Sequence, residues 1–170
     1  MTRMSTVVLP GSFDPFTLGH LDIARRAAAI ADRVVIAVSH NPSKRSLLDQ
    51  DTRCTAIRET LEAEGLGDSV EVRPLPAGLL VDFCREIGAG AVVRGIRGQA
   101  DLSYEEPMIR MNDHLAGIDT MLLIARPAVA HISSSLVREV AMLGGDVEAM
   151  LPPASARALR VALAEREQTA

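Results

Sequence analysis

The residues best suited to chemistry lie near the start of the chain, in the string Gly11-Ser12-Phe13-Asp14-Pro15-Phe16-Thr17-Leu18-Gly19-His20. An apolar run, Val7-Val8-Leu9, comes before a break at Pro10-Gly11, and an Ala-rich amphipathic segment follows the string. This order predicts a strand, a glycine-containing turn and a helix start. Backbone N–H groups and the positive end of the helix dipole meet at such a turn and bind phosphate. We expect Ser12 and His20 to face a phosphate from the two ends of the turn.

His20 lies in the first turn of the predicted helix. The helix dipole lowers the pKa of an imidazole there, which favours a neutral ring that donates a hydrogen bond to a phosphate oxygen. An ordinary N-cap histidine is the alternative, and the Gly19-His20 pair alone does not separate the two. The turn matches neither the dinucleotide fingerprint nor a Walker loop, because it offers only Gly11 and Gly19 and no Gly-Lys-Ser/Thr follows. A nicotinamide dehydrogenase is therefore disfavoured.

Two further clusters follow predicted strands. Asn41-Pro42-Ser43-Lys44 offers a flexible ammonium group that can hold an acceptor phosphate, although a loop lysine is usually only a solvated charge. Ile132-Ser133-Ser134-Ser135 opens a predicted helix, so its hydroxyl and N–H groups can cradle the outer phosphates of a nucleotide. A serine-rich N-cap is, taken alone, more often just a cap.

The last of the four clusters, Arg94-Gly95-Ile96-Arg97, directly follows a buried-type strand. Two guanidinium groups in that place suit phosphates better than a core, because guanidinium binds phosphate through paired hydrogen bonds. The alternative is a pair of surface salt bridges with Asp101 or Glu105.

The clusters have to be brought together by the elements around them. Strand-like and helix-like segments alternate, which predicts an α/β fold with a five-stranded parallel doubly wound (Rossmann-like) sheet and C-terminal helices. Ligands bind beyond the carboxyl ends of such strands, so we expect the four clusters to share one edge. The predicted strands lie at 7–9, 33–39, 70–72, 91–93 and 120–125, and the predicted helices at 21–30, 49–64, 79–87, 102–116, from 133 and after 153. Pro107 is tolerated in the fourth helix only if that helix starts near Glu106 or kinks there.

Composition narrows the class of protein. The chain has 170 residues, 48% of them apolar and four aromatic, and a net charge of −4. We expect one domain over residues 1–170 that buries an aliphatic core and is not a general nucleic-acid binder. Cys54 and Cys84 are isolated and lack metal-ligand spacing, which indicates reduced core thiols in the cytoplasm. No apolar run is long enough to cross a membrane.

The string from Gly11 to His20 resembles the nucleotidylyltransferase superfamily with its Thr-x-Gly-His motif. Its members join the α-phosphorus of a nucleoside triphosphate to an acceptor phosphate and release pyrophosphate. With the three later clusters, Asp101-x-x-Tyr104-Glu105 and the run Leu136–Ala141, residues 5–159 resemble the phosphopantetheine adenylyltransferase family. The resemblance implies adenylyl transfer from ATP to 4′-phosphopantetheine by in-line attack, in a homohexamer. Mg²⁺ would travel with ATP, and no protein-built metal site is expected.

The resemblance also implies roles for individual residues. On the ATP side it places Ser12, Phe13, His20, Gly95, Ile96, Arg97, Glu105, Ile132, Ser133, Ser134 and Ser135. On the phosphopantetheine side it places Ser12, Lys44, Leu80 and Arg94, and the catalytic set is His20, Lys44, Ser12 and Arg97. Leu79 would also lie against the pantetheine arm, although a place in the helix core suits Leu79 equally well.

Three places depart from the family pattern. Val129 and His131 stand where aromatic residues are common, Glu106-Pro107 interrupts a helical segment, and Asp113 stands where a basic residue is usual. None of them belongs to the catalytic set. The first turn alone would also fit a nicotinate mononucleotide adenylyltransferase or a cytidylyltransferase, against which the two basic clusters weigh. A non-catalytic nucleotide-binding module on the same fold is the alternative from another class.

Overall fold

The computed structural model of the chain describes residues 4–40 and 46–169. The strands in these residues are β1 (Met4–Gly11), β2 (Ala31–Val38), β3 (Val70–Pro74), β4 (Ala91–Ile96) and β5 (Asp119–Ile124). The helices are α1 (Leu18–Ile30), α2 (Gln50–Ala63), α3 (Leu80–Glu86), α4 (Gln99–Ala116), α5 (Ser134–Met142) and α6 (Pro153–Thr169), and a 3₁₀ turn spans Glu148–Met150. No helix in the described ranges is both long and apolar enough to span a membrane.

The five strands form one parallel sheet in the order β3-β2-β1-β4-β5, which confirms the predicted fold class. From the central β1, the chain passes through β2 and β3 on one side and then returns to β4 and β5 on the other. The strand order therefore reverses between β1 and β4. A crevice at the carboxyl ends of these two strands is the usual ligand site in such a sheet.

The apolar runs of the inner strands β1, β2 and β4 are buried on both faces of the sheet. Val7 and Val8 are adjacent and fully buried, but Val7 packs in the cluster under α1 and α2, with Ile57, whereas Val8 packs in the cluster under α3, with Val81. Successive side chains of a strand point to opposite faces, so a strand covered on both faces needs an unbroken apolar run.

The C-terminal helices form a further apolar cluster around Val137, Leu151 and Leu159, and α6 packs on α2. Leu18, at the start of α1, packs against both this cluster and the core under α1 and α2. The start of α5 is thereby held beside the turn that follows β1.

Several predicted boundaries are wrong. β4 runs to Ile96, so residues 94–96 lie in this strand rather than after it. β1 continues through Pro10 and Gly11, so the turn begins at Ser12. β4 pairs with β1 only as far as Val8, and the Pro10 carbonyl accepts a hydrogen bond from Arg94 instead, so the missing N–H of Pro10 breaks no bond of the ladder.

A further correction concerns α4, which starts at Gln99 rather than at Leu102 and runs through Pro107, so the alternative start near Glu106 is also wrong. Pro107 removes the N–H that would bond the carbonyl of Ser103. Both residues are exposed, so water can satisfy that carbonyl.

Candidate active site

The carboxyl ends of β1, β4 and β5 and the starts of α1 and α5 enclose a cavity of about 400 Å³. Three of the four predicted clusters meet there. The predicted residues that line the cavity are Ser12, His20, Arg94, Gly95, Arg97, Glu105, Ile132, Ser133, Ser134 and Ser135. The remaining cluster, with Lys44, lies outside the described residues. A larger groove of about 670 Å³ lies between α2 and α6, but among the described residues none of the predicted site lines it.

His20 is fixed by the helix start that it belongs to. Thr17 is the N-cap of α1, and its backbone N–H donates to His20 Nδ1 at 3.0 Å, while its hydroxyl accepts from the His20 N–H at 3.4 Å. This reciprocal arrangement is a capping box with histidine at the third helical position. Because Nδ1 accepts, the neutral ring carries its proton on Nε2. The imidazole therefore both caps the helix and keeps one donor for a ligand in the cavity.

The pKa of His20 is lowered from 6.5 to about 4. Burial of the ring is the largest cause, and the positive charges of Arg94 and Arg97 add to it. The sequence-based expectation of a neutral imidazole is confirmed, although burial and two arginines cause the shift rather than the helix dipole. A neutral ring at physiological pH is a hydrogen-bond donor that holds its proton on one known atom.

Arg94 and Arg97 are both paired with carboxylates. Arg94 forms a two-point ion pair with Glu105, with Nε 2.7 Å from Oε2, and it also donates to the Pro10 carbonyl. Arg97 binds Asp101 through Nε at 2.7 Å and Nη2 at 2.8 Å, and these bonds lower the pKa of Asp101. The salt bridges expected as the alternative are therefore present, and they lie in the wall of the cavity. A bound phosphate would meet guanidinium groups already oriented by carboxylates.

The serine cluster is also both cap and wall. Ser133 is the N-cap of α5 and accepts from the Leu136 N–H at 3.2 Å. Ser134 Oγ donates to the Pro15 carbonyl at 2.8 Å, which ties the start of α5 to the turn after β1. The N-termini of α1 and α5 thus face one cavity, and each end offers free N–H groups and positive dipole to an anion.

Gly95 allows the close approach of α1 to β4. A Cβ at this position would lie 2.8 Å from Cγ1 of Ile23, which lines the cavity from α1. A side chain at residue 95 would therefore push Ile23, and with it the helix that carries His20.

The comparisons with known proteins agree with this geometry. The cytidylyltransferase-like family model matches residues 8–140. A phosphopantetheine adenylyltransferase of Clavibacter michiganensis subsp. michiganensis is 51% identical over 91% of this chain and 94% of its own length. Those of Leifsonia xyli subsp. xyli and Nocardioides sp. are 50% and 49% identical, over 86% and 95% of this chain and 92% and 99% of theirs. The chain belongs to the phosphopantetheine adenylyltransferase family.

Solved structures show the same fold at low identity. A putative nicotinate-nucleotide adenylyltransferase from Vibrio parahaemolyticus matches with a TM-score of 0.68 at 16% identity and covers 94% of each chain. At that identity the likeness shows the fold alone, so it does not favour nicotinate mononucleotide as the acceptor over the one in the family name.

Four residues that the family resemblance implies do not line the cavity. Phe13 is 3% exposed, and its ring contacts His20 edge to face, with centroids 5.0 Å apart. Ile96 is buried at the end of β4, and Leu80 packs on the cluster under α3. Leu79 is 55% exposed, so the alternative of a place in the helix core is wrong.

Sequence reasoning missed a charged group beneath the turn. The Asp14 carboxylate is 4% exposed and accepts from the Leu47 and Leu48 N–H groups at 2.9 Å each. Arg138 lies 3.6 Å from the same carboxylate, and Arg53 is 2% exposed. Asp14 was visible inside the first motif, but Arg53 is an arginine in a helix, which is usually a surface residue.

Proposed function

We propose that this chain transfers the adenylyl group of ATP to 4′-phosphopantetheine and releases pyrophosphate and dephospho-coenzyme A. The observation that carries the proposal is the convergence of the His20 donor, the two arginines and the serine helix start on one cavity. The names of the relatives that are 49–51% identical to this chain support the choice of acceptor.

The reaction needs positioning more than acid–base chemistry. The 4′-phosphate of the acceptor is already a nucleophilic dianion, so it attacks the α-phosphorus of ATP without a general base. Charge that develops on the phosphoryl oxygens is stabilised by His20 Nε2–H and, in this proposal, by the ammonium of Lys44. Cys54 and Cys84 take no part, because burial raises the pKa of both thiols.

The two substrates divide the cavity. Ser12, at the end of β1, lies between them and contacts both. Arg97 and the Ser133–Ser135 helix start hold the β- and γ-phosphates, whereas Arg94 holds the acceptor phosphate. Gly95, Ile96, Glu105, Ile132 and the backbone of Phe13 complete the ATP side, and Leu80 meets the pantetheine arm.

Mg²⁺ enters with ATP as part of the substrate. Among the described residues no group of three or more His, Cys, Asp or Glu side chains fits a metal ion. Asp101 and Glu105 do lie at the cavity, but each is engaged by an arginine. These residues therefore do not fit a resident Mg²⁺, and phosphate oxygens with water would supply its ligands.

The protein assembles as a homohexamer in this proposal. Supporting it, α4 exposes an apolar row at Tyr104, Met108, Met111 and Leu115. Their spacing of four, three and four residues places them on one helix face. We also place the protein in the cytoplasm, because Cys54 and Cys84 are free and buried.

One assay tests the activity. The chain is incubated with MgATP and 4′-phosphopantetheine, and dephospho-coenzyme A and pyrophosphate are measured in equal amounts. Nicotinate mononucleotide with ATP, and CTP with a phosphorylated acceptor, are the matched controls. If only a control reaction gives product, the substrates of that reaction replace the proposed ones. ATP binding without any product would favour a non-catalytic nucleotide-binding module.

A further inference from the structure

Four carbonyl groups at the end of β1 and in the turn after it accept hydrogen bonds from side chains of other elements. These bonds run from Arg94 to the Pro10 carbonyl, from Arg53 to that of Ser12, from Arg138 to that of Asp14 and from Ser134 to that of Pro15. Cationic or hydroxyl donors thus fix the orientation of four peptide groups between Pro10 and Pro15.

Arg53 is the most buried of these donors. It projects from α2 and is 2% exposed, and its other acceptors are the Ser39 carbonyl at 2.9 Å and the Asp49 carbonyl at 3.2 Å. One guanidinium group therefore joins the turn, the residue after β2 and the start of α2 through main-chain carbonyls. Burying a cation costs free energy unless its N–H groups are hydrogen-bonded, and an apolar side chain would fill the same volume without that cost.

The bond to Ser12 fixes the direction of the next N–H group. The peptide between Ser12 and Phe13 is trans, so its N–H points opposite to its carbonyl. With the carbonyl bound by Arg53, the Phe13 N–H points away from the Arg53 guanidinium. Phe13 has φ of 49°, a left-handed conformation that a non-glycine residue adopts only when its surroundings hold it there.

We propose that Arg53 is a positioning residue that acts through the Ser12 carbonyl to aim the Phe13 N–H at a phosphate of ATP. Arg53 is absent from the cavity wall among the described residues, so it acts without touching the ligand. The inference rests on the proposed use of the cavity for ATP. It predicts that loss of Arg53 harms ATP binding more than binding of the acceptor, whose phosphate is held by Arg94.

The test compares Arg53→Met and Arg53→Lys with the wild type. Affinities for ATP and for 4′-phosphopantetheine are measured separately by titration calorimetry, together with kcat, both KM values and the melting temperature. We expect Arg53→Met to weaken ATP binding about tenfold or more, the effect of losing a well-placed donor to an anion, and to leave acceptor affinity within about threefold. Arg53→Lys keeps the charge and one donor centre, and it should recover part of the ATP affinity.

Arg58→Met is the matched control, because it removes an exposed arginine from the same helix, where Nη2 bonds the Val72 carbonyl at 3.3 Å, away from the turn. ATP binding by Arg53→Met within threefold of wild type would overturn the inference. If that variant unfolds, Arg53→Lys decides, and an equal loss of both affinities in it also overturns the inference. If the wild-type chain binds ATP but forms no dephospho-coenzyme A, the proposed activity is wrong. The ATP affinities of the variants would still test the proposed role of Arg53.

Discussion

At the scale of single residues, His20 uses its two ring nitrogens for different purposes. Nδ1 accepts the Thr17 N–H and closes the capping box, which leaves Nε2 as the donor toward the cavity. From the sequence motif alone, this histidine could be interpreted either as a helix cap or as a phosphate ligand. The structure shows that one ring can do both, because the cap fixes the tautomer that the ligand would need.

Replacement of His20 by alanine should lower kcat by a factor of about 10² to 10³, the usual effect of losing one transition-state donor. The fold should survive, since the Thr17 hydroxyl still accepts from the backbone N–H of residue 20 and caps α1. Steady-state pyrophosphate release measures the effect. His114→Ala, at an exposed position in the last turn of α4, is the control and should keep wild-type turnover. Near-normal turnover by His20→Ala would remove this histidine from the mechanism.

The same residue should make the free energy of unfolding decrease as the pH falls. The pKa of His20 is about 4 in the folded chain against 6.5 for a free imidazole, so between these values the unfolded chain binds more protons. The contribution of the neutral ring is complete above pH 6.5 and is lost as pH falls toward 4. Between pH 7.5 and 5.5 we expect the unfolding free energy to drop by about 1 kcal/mol from this group.

Urea unfolding at the two pH values, in wild type and His20→Gln, isolates that contribution. Glutamine suits the same position of a capping box and does not titrate. The pH-dependent loss should be smaller in His20→Gln by the amount given, and equal losses in the two proteins would contradict the lowered pKa.

Residues that the sequence could assign are those whose chemistry lies in a local string. Ser12, His20, Arg97 and Ser133 each follow a strand or open a helix, so the rule for parallel sheets was enough to bring them together. Arg53 could not be assigned in this way. Its partners are carbonyls of Ser12 and Ser39, and main-chain carbonyls leave no trace in the types of the residues that carry them.

At the scale of elements, order and type were predictable and boundaries were less so. The alternation of apolar runs and amphipathic segments is a strong signal, because strands covered on both faces and helices covered on one have different periods. Pro107 was expected to mark either the start of α4 or a kink in it, but α4 begins eight residues earlier, at Gln99, and continues through Pro107. An exposed proline can stay inside a helix whose other contacts hold it, at a cost in stability.

Replacement of Pro107 by alanine should therefore stabilise the protein. It restores an N–H to bond the Ser103 carbonyl, and the gain should be about 1–3 kcal/mol after allowing for the greater freedom of the unfolded chain. Thermal or urea unfolding gives the value. Ser103→Ala tests helix propensity alone and should gain no more than about 0.5 kcal/mol. An unchanged or lower stability of Pro107→Ala would mean that the proline relieves a strain we have not identified.

At the scale of the whole molecule, the site is made by topology. The reversal of strand order between β1 and β4 opens the crevice, and the C-terminal layer places α5 across it from α1. Two helix starts and two arginines then surround one volume, which no single stretch of sequence specifies. The sheet edge was predictable, but the packing of α6 on α2 that supports α5 was not, because α6 shows only a weak amphipathic pattern.

The apolar row on α4 gives the last prediction. In the free chain it leaves Met108 58% and Met111 51% exposed, which favours contact with another copy of the chain. We expect light scattering to give a mass about six times the 18.2 kDa of one chain. The double variant Met108→Glu with Met111→Glu should give smaller species, because burying two carboxylates at an apolar contact is costly. Val161→Glu, at a 58% exposed position on α6, should keep the wild-type mass, and a monomeric wild type would show that α4 does not mediate assembly.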